Sequence, residues 1–137
     1  MHNPLPILIA EDNEDDFFCF RRAARMAGIH NPILRFRDGS ELIGFLEQSM
    51  PADATRETPL LTFIDLAMPL VSGFEVLTWL RTHRPNQFFP IVLSGSRREE
   101  DVRKAYDLGA EEYLTKPLTP LLLAALAARP AAEFARH

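Results

Sequence analysis

The sequence predicts an α/β fold, a parallel sheet of five strands with helices on both faces. Two observations lead there. Short apolar runs alternate with longer amphipathic stretches along the chain, which is the rhythm of repeated strand–helix units. The first run, residues 6–10, shows no period-two alternation, as expected of a strand covered on both faces. A third observation concerns function. Two of the runs end in acids: residues 6–10 run into Glu11-Asp12, and residues 60–64 into Asp65.

The elements follow in order. Residues 6–10 are the first strand and 13–27 the first helix. Phe17, Phe20, Ala24 and Ala27 recur there at helical spacing, with Gly28 where a C-terminal cap belongs. Asn13, Glu14, Asp15 and Asp16 load its first turn with polar and acidic groups that complement the helix dipole. Residues 33–37 alternate, so they read as an edge or half-exposed strand. Asp38-Gly39 is expected to turn the chain into a short helix carrying Leu42, Ile43, Phe45 and Leu46. Residues 50–59, polar and bracketed by prolines, read as the one long loop. Residues 60–64 form the third strand, and a helix from about Gly73 to His83 presents Phe74, Leu77 and Leu80. Residues 89–93 are the fourth strand. Val102, Ala105, Tyr106 and Gly109 are expected on the inner face of the fourth helix. Residues 112–114 are the fifth strand. Thr119-Pro120 supplies a cap and first-turn proline for a last helix to about Ala128. The expected organisation is one domain over 1–128 and a short C-terminal tail over 129–137.

A chain of 137 residues buries roughly two-thirds of its unfolded surface and needs no covalent staples. Net charge is −4, which disfavours nucleic acid as main partner, because phosphate binding calls for a basic face. Cys19 is the only cysteine, which suits a reducing, cytoplasmic setting. No apolar run reaches the ~18 residues of a membrane span, so neither nucleic acid nor membrane is an expected partner.

In such sheets, ligands bind beyond the carboxyl ends of the strands. Glu11, Asp12, Asp65, Ser94 and Lys116 all fall at or just past expected strand ends. Three neighbouring carboxylates repel one another unless one takes a proton or a cation sits among them. A hard ion such as Mg²⁺ accepts that oxygen set. Lys116 adds a positive charge and Ser94 a hydroxyl, so the edge suits a phosphoryl group, and a carboxylate there can serve as nucleophile.

Four segments together resemble the response-regulator receiver domain of two-component signalling. They are Ile7-Leu8-Ile9-Ala10-Glu11-Asp12-Asn13, Phe63-Ile64-Asp65-Leu66-Ala67-Met68-Pro69 with Gly73, Ile91-Val92-Leu93-Ser94, and Tyr113-Leu114-Thr115-Lys116-Pro117. The resemblance implies a doubly wound, flavodoxin-like sheet of order 2-1-3-4-5. It implies Asp65 as phosphoacceptor, and Mg²⁺ held by Asp12, Asp65, the Ala67 carbonyl and, through water, Glu11. Lys116 would pair with Asp65 and then with the phosphoryl oxygens. Ser94 would bind the phosphoryl group and draw Tyr113 inward as a switch. Pro117 is expected in cis. Within the family, Glu11 to Asp16, Arg37-Asp38-Gly39-Ser40-Glu41 and the loop at 50–59 are most similar to the single-domain regulators that partner phytochrome-type histidine kinases.

Ala67 stands where the family often carries a polar residue, and Ser96 lies two residues after Ser94. Both are expected to modulate hydrolysis of the acyl phosphate. Gly95, where Ala or Thr is common, is expected to loosen the backbone. The function implied is a stand-alone phosphorylation switch rather than a metabolic enzyme. Its output would run through protein contacts, a homodimer through the face of the fourth helix, fifth strand and fifth helix, or transfer to a phosphotransfer protein. One rival is a haloacid-dehalogenase-like phosphatase, which would want an acid at position 67. Another is a receiver-like scaffold that is never phosphorylated.

Cys19 is expected to pack as a small apolar residue, and the four histidines show no ligand spacing. Phe18 shares a helix face with Arg21, Arg22 and Arg25, a candidate kinase-docking surface. Leu121, Leu122 and Leu123 are consecutive and cannot all be buried equally in a helix.

Overall fold

The computed structural model describes residues 5–50 and 58–128. The expected loop at 50–59 falls mostly outside the described residues, and the expected tail at 129–137 entirely so. Strands β1 (Ile7–Ala10), β2 (Ile33–Phe36), β3 (Leu60–Ile64), β4 (Phe88–Ser94) and β5 (Glu112–Thr115) alternate with helices α1 (Glu14–Met26), α2 (Gly39–Ser49), α3 (Gly73–His83), α4 (Glu99–Asp107) and α5 (Pro120–Ala127). The strands form one parallel sheet in the order β2-β1-β3-β4-β5.

Alternate strand residues feed two cores. Leu8, Ala10, Leu60, Ile64, Phe88 and Val92 join Leu42, Leu46, Val76, Leu77, Leu80 and Ala105 beneath α2, α3 and α4. Ile7, Ile9, Phe63, Phe89, Ile91 and Leu93 join Phe20, Ala23, Ala24, Leu123 and Leu126 beneath α1 and α5. This two-sided burial is why the central strands read as continuous apolar runs.

Helix ends follow their capping residues. The side chains of Asn13, Asp38, Ser72 and Thr119 each accept a backbone N–H from the first turn they precede. Asp38 therefore starts α2 rather than turning the chain, and the helix begins at Gly39, several residues before the expected apolar stretch. Gly28 takes a left-handed φ of 78° after α1, as a helix terminator does.

Other expectations are corrected. Cys19 is exposed rather than packed. On α4 only Ala105 is buried; Tyr106 points outward and Gly109 lies in the turn beyond. Nothing lies within 4 Å of where a Cβ would stand on Gly95, and its φ is not left-handed, so no tight fit requires a glycine there. On α5, Leu123 is buried while Leu121 is 81% exposed and Leu122 39%.

Candidate functional site

Three backbone ladders each run one residue past their strands and set the site. The Glu11 N–H donates to the Phe36 carbonyl (2.9 Å), that of Asp65 to Ala10 (3.1 Å) and that of Lys116 to Ser94 (2.8 Å). The side chains of Glu11, Asp65 and Lys116 thus converge at the C-terminal edge of the sheet, the two acids from the adjacent strands β1 and β3 and the lysine from β5, the edge strand beyond β4. The Lys116–Pro117 bond is cis. An open cleft of about 410 Å³ lies there, lined among others by Asp12, Asp65, Ala67, Ser94, Ser96 and Lys116.

Glu11 and Asp65 are buried and Asp12 is exposed, with one carboxylate oxygen from each within 4.8 Å of the other two. Such a set of hard oxygen donors fits a divalent cation of the Mg²⁺ type. The Ala67 N–H donates to Asp65 Oδ1 at 3.1 Å, which leaves Oδ2 facing Lys116 Nζ at 3.3 Å. Lys116 is not the private partner of Asp65, however. Its Nζ lies closer to Glu11 Oε1 (2.7 Å) and Asp16 Oδ2 (2.8 Å). Asp16 was legible in sequence only as a first-turn acid. The signal that could have found it is its place in the first turn of a helix that opens directly after Glu11-Asp12, at the same edge of the sheet. Arg35 is a second such residue. Its Nε donates to the Glu11 carbonyl at 3.1 Å, and its guanidinium lies over the Phe17 ring at 4.6 Å.

Ser94 Oγ lines the cleft and accepts the Ser96 N–H at 3.1 Å. The Ser96 hydroxyl donates to Asp101 Oδ2 at 2.6 Å. Tyr113 does not meet the Ser94 hydroxyl; its own hydroxyl donates to the Ser96 carbonyl at 2.9 Å. Ser94 and Tyr113 are therefore linked through the Ser96 backbone, in the loop between β4 and α4.

Burial pushes the Glu11 carboxyl up to about 7; Lys116 opposes the rise, and the hydrogen bond and charge of Asp65 add to it. Burial draws the Lys116 ammonium down, but the hydrogen bonds to Asp16 and Glu11 and the charges of Asp65 and Glu11 outweigh it and hold the group above its ordinary value. The Glu11 shift has a stability consequence. Between about 4.5 and about 7 the folded protein binds the Glu11 proton more tightly than the unfolded chain does. The Glu11 contribution to stability therefore falls as pH rises through that window. Urea melts in EDTA from pH 5 to pH 7.5 should show a steeper decline for the wild type than for Glu11→Gln. Equal slopes would remove the effect.

The chain belongs to the response regulator receiver domain family, whose model matches residues 7–128. Phosphorylation and Mg²⁺ binding in an acidic pocket are typical of this family. The response regulator Rcp1 of Synechocystis is 31% identical over 82% of this chain and 77% of its own. Among solved structures, the phosphorylated cyanobacterial phytochrome response regulator RcpA is 30% identical with a TM-score of 0.71, over 90% of this chain and 88% of its own. The Mn²⁺-bound form of Rcp1 is 29% identical with a TM-score of 0.69, over the same shares. No helix among the described residues is long and apolar enough to cross a membrane.

Proposed function

We propose that this chain is a phosphorylation switch that takes a phosphoryl group onto Asp65 from the phosphohistidine of a histidine kinase, with Mg²⁺ as cofactor. The observation that carries this reading is the convergence of Asp65, the Glu11 and Asp12 carboxylates, the Ser94 hydroxyl and the Lys116 ammonium on one cleft. An Asp65 carboxylate oxygen attacks phosphorus, the P–N bond breaks, and the electron pair leaves with the imidazole. Glu11, Asp12, Asp65 and the Ala67 carbonyl would hold the cation, which neutralises charge on the transferring phosphoryl oxygens. Lys116 pairs with one of those oxygens and Ser94 donates to another. As the Ser94 hydroxyl moves to donate to the phosphoryl group, it draws with it the Ser96 N–H that it accepts, and Tyr113 is bonded to that segment. That chain of contacts gives the phosphoryl group a two-state element to bias. Ala67 and Ser96, small and at the cleft wall, admit the water that later hydrolyses the acyl phosphate. Ala67 also removes the general acid that a haloacid-dehalogenase-like phosphatase needs.

We assign the protein to the cytoplasm, as a switch that hydrolyses only its own acyl phosphate. Phe18, 55% exposed, stands with Arg21, Arg22 and Arg25 around a shared hollow on α1, a surface that suits the kinase. The likeness to Rcp1 and RcpA supports a phytochrome-type kinase. Exposed Tyr106, Leu121 and Leu122 give the α4-β5-α5 face the apolar area for a homodimer, and a phosphotransfer protein is the other acceptor this chemistry allows. The test is beryllofluoride, a phosphoryl mimic, titrated by calorimetry with and without Mg²⁺. Wild type should bind only with Mg²⁺, and Asp65→Asn should lose binding at least a hundredfold. Equal binding by Asp65→Asn, or none by wild type, overturns the reading.

A further inference from the structure

The geometry points to Asp16 as a positioning residue that restrains Lys116 until the phosphoryl group arrives; this rests on the receiver reading above. An ammonium has three N–H donors, and Lys116 Nζ has three carboxylate neighbours at 2.7, 2.8 and 3.3 Å, from Glu11, Asp16 and Asp65. The three acids are not equivalent. Glu11 and Asp65 belong to the set whose oxygens converge for a cation, and Asp16 does not. A cation drawing on Glu11 and Asp65 therefore leaves Asp16 as the acid still paired with the lysine.

Asp16 is well held for that task. Its backbone N–H donates to the Asn13 side chain at 2.9 Å, which fixes it in the first turn of α1 above the cleft. Its side chain is 42% exposed and that of Lys116 17%, so the pair sits at the rim, where the bond can open without burying a bare charge. A phosphoryl group on Asp65 draws the Lys116 ammonium toward itself and away from Asp16, so the two compete for its position. Asp16 thus sets the threshold for capturing the phosphoryl group, and its removal lowers that threshold.

The chain has two lysines, Lys104 and Lys116, so a ¹⁵N-lysine label gives two ammonium signals. Beryllofluoride is titrated at saturating Mg²⁺ into wild type, Asp16→Asn, Asp16→Glu and, as a charge control, Asp15→Asn. Asp16→Asn should bind about fivefold more tightly, the scale of one partly exposed ion pair. In the Mg²⁺ form before titration, its Lys116 ammonium signal should lose protection from solvent exchange. Asp16→Glu, which keeps the carboxylate, should stay within twofold of wild type, as should Asp15→Asn. Binding by wild type with no gain in Asp16→Asn overturns this inference alone. An equal gain in Asp15→Asn also overturns it, because bulk charge then accounts for the effect. Absence of binding by wild type overturns the receiver reading and this inference with it.

Discussion

Lys116→Met should bind Mg²⁺ about tenfold more tightly than wild type. The ammonium lies 2.7 Å from Glu11 and 3.3 Å from Asp65, two of the three acids whose oxygens converge. In charge terms it competes for the position a divalent ion would take. Two unit charges 4 Å apart interact by about 4 kcal/mol at an effective dielectric constant of about 20. Solvent in the open cleft and side-chain relaxation reduce that to about 1.4 kcal/mol, or about tenfold. The same substitution leaves Glu11, Asp16 and Asp65 without the ammonium they share, so the variant should melt lower than wild type in EDTA at pH 7.5. Mg²⁺ should restore much of the loss, since a ligand of the folded state stabilises by mass action. Calorimetric titration and thermal melts read both arms. Equal or weaker Mg²⁺ binding by Lys116→Met would show that the lysine and the cation do not compete.

The parts of this site that were legible in sequence share a physical reason. Glu11, Asp65 and Lys116 each follow directly on a strand and remain in its hydrogen-bond ladder, so strand register alone delivers them to one edge. Asp16 was not legible because helix acids look alike until the helix crosses the sheet. Of its neighbours, Glu14 pairs with Arg35 and Arg37 and Asp15 faces solvent. Tyr106 misled for a related reason. Ala105 beside it takes the one buried position of α4; the Tyr106 hydroxyl instead accepts the Tyr113 N–H, at 3.1 Å, from the edge strand β5. Asp38-Gly39 carries the local chemistry of a turn, yet here the acid caps α2 and the glycine admits a close neighbour. A Cβ on Gly39 would stand 2.6 Å from the Val71 carbonyl oxygen, a contact across the fold that no local rule contains.

Gly73→Ala should cost about 3 kcal/mol of stability and lower the melting temperature by about 10 °C. Gly73 opens α3, and its N–H donates to the Leu66 carbonyl at 3.2 Å. A Cβ there would lie 2.4 Å from the Asp65 carbonyl oxygen and 2.7 Å from Leu66 Cα. Both obstacles are backbone, so no rotamer change relieves them. The β3 side of the clash cannot yield freely, because the Asp65 N–H is tied to Ala10 in the next strand. The α3 side cannot yield freely either, because the helix buries Val76, Leu77 and Leu80. The strain therefore falls on the Asp65 backbone, and Mg²⁺ binding should weaken along with the fold. Gly44→Ala supplies the contrast: nothing lies within 4 Å of its Cβ position inside α2, so it should gain about 0.5–1 kcal/mol from helix propensity. Urea melts of the two variants beside wild type read the difference. A Gly73→Ala protein as stable as wild type would mean that α3 slides on β3 without resistance, and that Asp65 is not held by the packing beneath it.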